Sequence, residues 1–193
     1  MTILKKKYKV SLLVILAIII SRMMVTSADV DIQSLKAYCK NNGYSTEYCV
    51  LVDSSRPSGT KRFFIYSFKD EKILYKSLDT NGCGKEKNIF NSTFSNKVGS
   101  NYSSLGRYKV GNLRKMTSEF YGKGYTTYGL DSSNSNAFKR AILIHRCNPP
   151  FELYPLPAIP VSKGCFAVSD GMMKHIAKIK AQTSKPILLY AYK

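Results

Sequence analysis

The sequence predicts a mainly β domain, a sandwich or barrel-like sheet with a few short helices. Three observations lead there. From Tyr48 onward the chain falls into short runs rich in Val, Ile, Phe and Tyr with near-alternating polarity. Clusters of turn-forming residues separate those runs. Only two stretches carry apolar residues at helical spacing.

Residues 1–28 read as a targeting segment. Lys5, Lys6, Lys7 and Lys9 precede an apolar stretch from Val10 to Ile20, and small residues follow, with Val25-Thr26-Ser27 or Thr26-Ser27-Ala28 as cleavage sites. The stretch is shorter than the roughly 20 residues that span a bilayer, and Arg22 interrupts any extension. No Cys stands near the cleavage sites, which argues against a lipoprotein. A retained N-terminal anchor is the alternative, and it would be the chain's only link to a membrane. Residues 29–193 are then one domain outside the cytoplasm, long enough for a real core.

Asp29 to Asn42 is predicted as a helix with Ile32, Leu35, Ala37 and Cys39 on its apolar face and Gly43 as its stop. Strands are predicted over 48–53, 61–68 and 72–78, joined by turn chemistry at 54–60 and 69–71. Further strands are predicted over 105–111 and 141–145. The Ser/Asn-rich segments 91–104 and 131–136 read as loops. Ser169 and Asp170 cap a helix from Gly171 to Gln182 with Met172, Met173, Ile176, Ala177 and Ile179 inward. Pro186 opens a last strand over 187–192. His175, on that helix, reads as a solvated residue.

The net charge is +18. The targeting segment holds Lys5, Lys6, Lys7, Lys9 and Arg22 and no acids, so removing its five positives leaves +13. Such a surface suits polyanions: nucleic acid, anionic lipid or an acidic wall polymer. Export argues against nucleic acid, and neither zinc-finger spacing nor an RNP-like motif is present. Five cysteines, an odd number, leave one thiol unpaired if the rest form bridges. Cys39–Cys49 and Cys83–Cys147 is one pairing, and two unpaired thiols at Cys83 and Cys147 is another; spacing does not choose. His145, Cys147 and Cys165 lack a fourth ligand for zinc, so no metal is expected.

The chemistry-bearing residues lie between Ala141 and Ala167. His145 ends the apolar run AILI, and Cys165 follows Gly164 after a proline-rich loop. A thiol needs a base near neutral pH, and an imidazole at the end of a rigid strand supplies one. Gly164 permits a tight turn that could aim the N–H groups of Gly164 and Cys165 at a developing oxyanion. A structural cysteine and a satisfied core histidine are the bland reading of the same residues.

IxxH followed by SxGCxA resembles the active-site signature of the L,D-transpeptidases, the YkuD-like catalytic domain, in its murein L,D-transpeptidase branch. PSGTKRFFIY (57–66), FSNKVGSNYSSLGRY (94–108), YGKG (121–124), GLDSSNSNAFKRAILIH (129–145) and SKGCFAVS (162–169) resemble that branch in the same order, over roughly residues 50–192. Lys163 stands where many members have His, and the His145–Cys165 spacing is slightly longer than in most.

The resemblance implies that Cys165 attacks a peptidoglycan stem peptide at its third residue and expels the terminal D-Ala, with His145 as acid and base. It implies an oxyanion held by the Gly164 and Cys165 amides, and a second ring nitrogen of His145 bonded to the Arg146 carbonyl. Carbapenems are expected to acylate Cys165, and no cofactor is implied. Ser104, Tyr108, Asn136, Arg140, Ser162 and Lys163 are candidate substrate-binding residues, each with a structural reading beside it. Resolution by an amine gives a transpeptidase and by water an L,D-carboxypeptidase. A non-catalytic basic wall-binding protein and an exported cysteine protease are the alternatives from other classes. The oligomeric state is left open.

Overall fold

The computed structural model describes residues 30–58, 60–82, 84, 93–116, 122–147 and 162–193. The expected targeting segment and Cys83 lie outside them. Helix α1 (Ile32–Asn41) is followed by β1 (Tyr48–Asp53), β2 (Thr60–Ser67), β3 (Lys72–Asp79), β4 (Gly106–Lys115), β5 (Lys123–Gly129), β6 (Leu143–Arg146), β7 (Phe166–Val168), α2 (Asp170–Gln182) and β8 (Ile187–Tyr192). All eight strands form a single sheet in the order β3-β2-β1-β8-β4-β5-β6-β7. The barrel-like alternative therefore holds over the sandwich. The sheet curls until its two ends meet, and Ser77 Oγ on β3 lies 3.2 Å from Ser169 Oγ just after β7.

Strand alternation sorts side chains to two faces. Val50 and Val52 on β1, Phe63 and Ile65 on β2, and Ile187 and Leu189 on β8 point into the barrel, where Met172, Ile176 and Ile179 of α2 plug it. Cys49 and Leu51, Phe64 and Leu188 point outward and are covered by Leu35 and Cys39 of α1. With both faces covered, β1 is apolar almost throughout, as its sequence shows. Ser169 caps α2 through Met172 N, and Asp31 caps α1 through Ser34 N.

Several expectations are corrected. The two sheet contributions not foreseen are β5 and β7. The first mixes Gly, Thr and Tyr without clean alternation, and the second is only three residues long. β4 runs past Gly111 to Lys115, because Asn112–Lys115 form an exposed hairpin arm with no apolar pattern to mark it. Ala141 is not in a strand: with φ 53° it ends the turn over 131–141, where Ile142 N bonds Ala137 O and Ala141 N bonds Phe138 O. Ala37 and Ala177 face solvent. His175 is stacked on Tyr75, ring centroids 3.5 Å apart, and burial lowers its pKa. The Cys39–Cys49 bridge does not form: both thiols are free and buried, and Cys165 is free and half-buried. Cys147 is buried in a small cluster with Ala167.

Ile176 is wholly buried in the barrel plug. Ile176→Ala should cost about 2–5 kcal/mol, read as a lower midpoint in denaturant unfolding.

Candidate active site

β6 and β7 run parallel, with Ile144 opposite Phe166, His145 opposite Ala167 and Arg146 opposite Val168. Ile144 and Phe166 point into the core, so His145 and Ala167 point to the other face. Cys165, one residue before β7, stands two residues before Ala167, the register partner of His145, at the end of that parallel pair. Two side chains far apart in sequence thus become diagonal neighbours on adjacent strands.

His145 is 6% exposed, and its Nδ1 lies 2.8 Å from the Arg146 carbonyl. A carbonyl only accepts, so Nδ1 carries the proton and the neutral ring keeps its lone pair on Nε2. Burial holds the His145 pKa below 6.5, against the opposing pull of that carbonyl.

Cys165 Sγ donates to Ala141 O at 3.5 Å. Burial raises the thiol pKa above its ordinary value; the Leu143 N–H, Arg140 and Arg114 oppose this, and Asp79 adds to it. The resting pair is consequently a neutral thiol beside a neutral imidazole.

The turn before Cys165 is fixed from several sides. Ser162 Oγ donates to the Cys165 carbonyl at 2.8 Å and accepts from Gly164 N at 3.1 Å. Gly164 has φ 107°, and a Cβ there would lie 2.7 Å from Tyr102 O and 2.9 Å from Ile142 Cδ1. Gly82 approaches from the other side: a Cβ there would lie 2.5 Å from Gly164 N. Ser162 N bonds Asn81 O at 3.2 Å, and Gly82 N bonds Ser103 Oγ at 2.9 Å.

Segment 79–82 rests on a buried ion pair. Arg62 Nε lies 3.4 Å from Asp79 Oδ2, and Arg62 also donates to Ser54 Oγ, Asn81 Oδ1 and Arg56 O. Burial pushes the Asp79 carboxyl up to about 7, opposed by Arg62 and by the N–H groups of Thr80 and Ala167.

The remaining candidates divide. Tyr108 is fully buried, its hydroxyl donating to Ser104 O at 2.6 Å, so it faces the core and not a substrate; burial raises its pKa to about 12. Ser104 is buried and pairs with the Tyr108 hydroxyl at 2.8 Å. Asn136 holds Asn96 through two hydrogen bonds of 3.0 Å, which fastens two loops together. Arg140 donates to Ser95 O, Ser104 Oγ and Tyr102 O, and its guanidinium abuts Gly164. These four are structural braces, in line with their bland readings. Lys163 is exposed. Gly164 N–H is taken by Ser162 Oγ, so it does not point to an oxyanion. Asp79, Arg62 and Gly82 escaped sequence reasoning because strand ends and turns account equally well for such residues; the DTNG run (79–82) was the only signal.

A comparison with protein families matches residues 23–192 to the L,D-transpeptidase catalytic domain. The chain belongs to that family. No curated protein matches the chain. A mutant form of the helical cell shape determining protein Pgp2 from Campylobacter jejuni is similar in structure, with 17% identity and a TM-score of 0.49 over 78% of this chain and 49% of that one. The L,D-transpeptidase from Xylanimonas cellulosilytica DSM 15894 is similar with 14% identity and a TM-score of 0.44 over 75% and 60%. This L,D-transpeptidase-family chain thus spans about half the length of the Pgp2 chain.

Gly164→Ala should force a left-handed residue and a clash with Tyr102 O, at about 1–3 kcal/mol. The expected result is a lower melting temperature together with altered alkylation of Cys165; an unchanged pair of readings would mean the turn tolerates a side chain.

Proposed function

We propose that this L,D-transpeptidase-family domain acts outside the cytoplasm on peptidoglycan stem peptides through an acyl-enzyme on Cys165. One observation carries the reading: the Nδ1 of His145 is committed to the Arg146 carbonyl, and the parallel β6–β7 register sets Cys165 two residues before Ala167, the partner of His145. With the proton on Nδ1, Nε2 is the nitrogen whose lone pair can take a proton. The strongly basic composition and the exposed Lys163 suit an anionic wall polymer, and the basic, apolar N-terminal segment suits export.

The thiol and imidazole both rest neutral, so proton transfer accompanies attack and does not precede it. Sγ bonds to the carbonyl carbon of the third stem residue as its proton passes to Nε2. The negative oxygen forms beside the Cys165 amide, since the Gly164 N–H is engaged by Ser162. The carbon–nitrogen bond breaks, and His145 returns the proton to the departing D-Ala amine. An amine of a neighbouring stem resolves the thioester to a cross-link. Water in its place gives an L,D-carboxypeptidase.

Cys165→Ala should abolish both the stem acyl-enzyme and a carbapenem adduct in intact-protein mass spectrometry while leaving the fold in place. Turnover retained in that variant would refute the nucleophile, and no adduct on folded wild type would favour a non-catalytic wall-binding protein.

His145 must be neutral to accept the proton. Because its pKa is lowered, kcat/KM should stay high as pH falls through 6.5 and drop only below it. His145→Ala should lose at least about 100-fold in kcat/KM and lose that acid limb.

A further inference from the structure

Two arginines act on the charge of Cys165, and they differ in what else they do. Arg140 is held by Ser95 O, Ser104 Oγ and Tyr102 O, so its donors are occupied within the fold. Arg114 is exposed on the outer arm of β4. Among the described residues no carboxylate lies within ion-pairing distance of it.

Register places Arg114 over the reactive pair. Arg114 is opposite Gly124, Gly124 is opposite His145, and His145 is opposite Ala167. All four share one face of the sheet, the face on which His145 meets Cys165. β4 and β6 are two strand spacings apart, about 10 Å. The residue between them is a glycine. A Cβ at Gly124 would lie 3.3 Å from His145 Cβ and 3.4 Å from Met116 Sδ, so position 124 adds no side chain of its own between Arg114 and His145, and Met116 packs over it. The influence of Arg114 on the Cys165 thiol agrees with this placement.

A guanidinium with no acidic partner among the described residues, on the same face as Cys165 and two strands from His145, matches the planar fork of a carboxylate. We propose that Arg114 holds a stem carboxylate within one residue of the scissile bond and so sets which peptides reach Cys165. This inference rests on reading Cys165 as the acyl acceptor. Two carboxylates have the right chemistry, the terminal one of the departing residue and, in stems whose third residue is a diamino acid with a second carboxylate, the one on its side chain.

The test has two arms. In the first, Cys165 is alkylated with iodoacetate and with iodoacetamide in wild type, Arg114→Gln and Arg114→Lys. The ratio of the two rates removes any general change in thiol reactivity. It should fall about 10-fold in Arg114→Gln, given the usual strength of a charged hydrogen bond, and fall less in Arg114→Lys, which keeps the charge without the fork. In the second arm, kcat/KM is measured on the stem tetrapeptide and on two versions, each amidated at one carboxylate. Amidation of the carboxylate that Arg114 reads should cost wild type about 10–100-fold and cost Arg114→Gln nothing further. The sensitive version identifies the carboxylate. An alkylation ratio unchanged in Arg114→Gln, or equal sensitivity to both amidations in wild type and variant, overturns the proposal. If wild type acylates on none of the peptides, the stem-peptide reading falls, while the alkylation ratio still decides whether Arg114 draws carboxylates to Cys165.

Discussion

The parallel pairing of two very short strands is the constraint on which the site depends. β6 has four residues and β7 three, too few to hold register by their own ladder. Their alignment is imposed from outside. Ile144, Phe166 and Val168 lock one face into the core beside α2. Ser77 Oγ meets Ser169 Oγ and accepts from Ser169 N where the sheet closes. A slip of one residue would turn Cys165 or His145 to the opposite face. Closure of the barrel is therefore also what sets the strand of His145 beside the segment that carries Cys165.

Beneath the turn that precedes Cys165 the fold trades apolar packing for polar bracing. Arg62 and Asp79 are both buried and lie 3.4 Å apart, and Arg140 reaches three oxygens below Gly164. Buried charges of this kind contribute less to stability than apolar packing of equal volume. They do fix direction, because the terminal nitrogens of Arg62 and Arg140 donate to named oxygens. Gly82 and Gly164 meet backbone to backbone, and the polar braces hold that contact without side chains of its own. The result is a turn with little freedom at the residue before Cys165.

Much of this was legible in the sequence, for physical reasons that differ by element. β1, β2, β3 and β8 announce themselves because their residues are β-branched or aromatic and their neighbours are turns. α2 was legible from Ser169 at its cap and from Met172, Ile176 and Ile179 at helical spacing. β5 was hidden because Gly124 and Gly129 serve close approach and not burial of side chains. The outer arm of β4 was hidden because both of its faces are wet. Cys165 and His145 stood out by residue type and by family resemblance, as did the Arg146 carbonyl. Tyr108 and Ser104 were expected near substrate because a Ser-Gly turn reads the same on a cleft rim and under a core; only burial separates the two. Arg114 gave no signal, since its placement depends on pairing with β5, which sequence did not reveal.

The central claim is that the Arg146 carbonyl fixes a neutral His145 with its lone pair on Nε2, facing Cys165. The chain has two histidines, so nitrogen NMR of the imidazoles, with His145→Ala to assign the signals, reads this directly. The account predicts that His145 is the Nδ1–H tautomer at neutral pH and titrates below 6.5. An Nε2–H tautomer, or an imidazolium persisting above pH 6.5 as half of a thiolate ion pair, would contradict it.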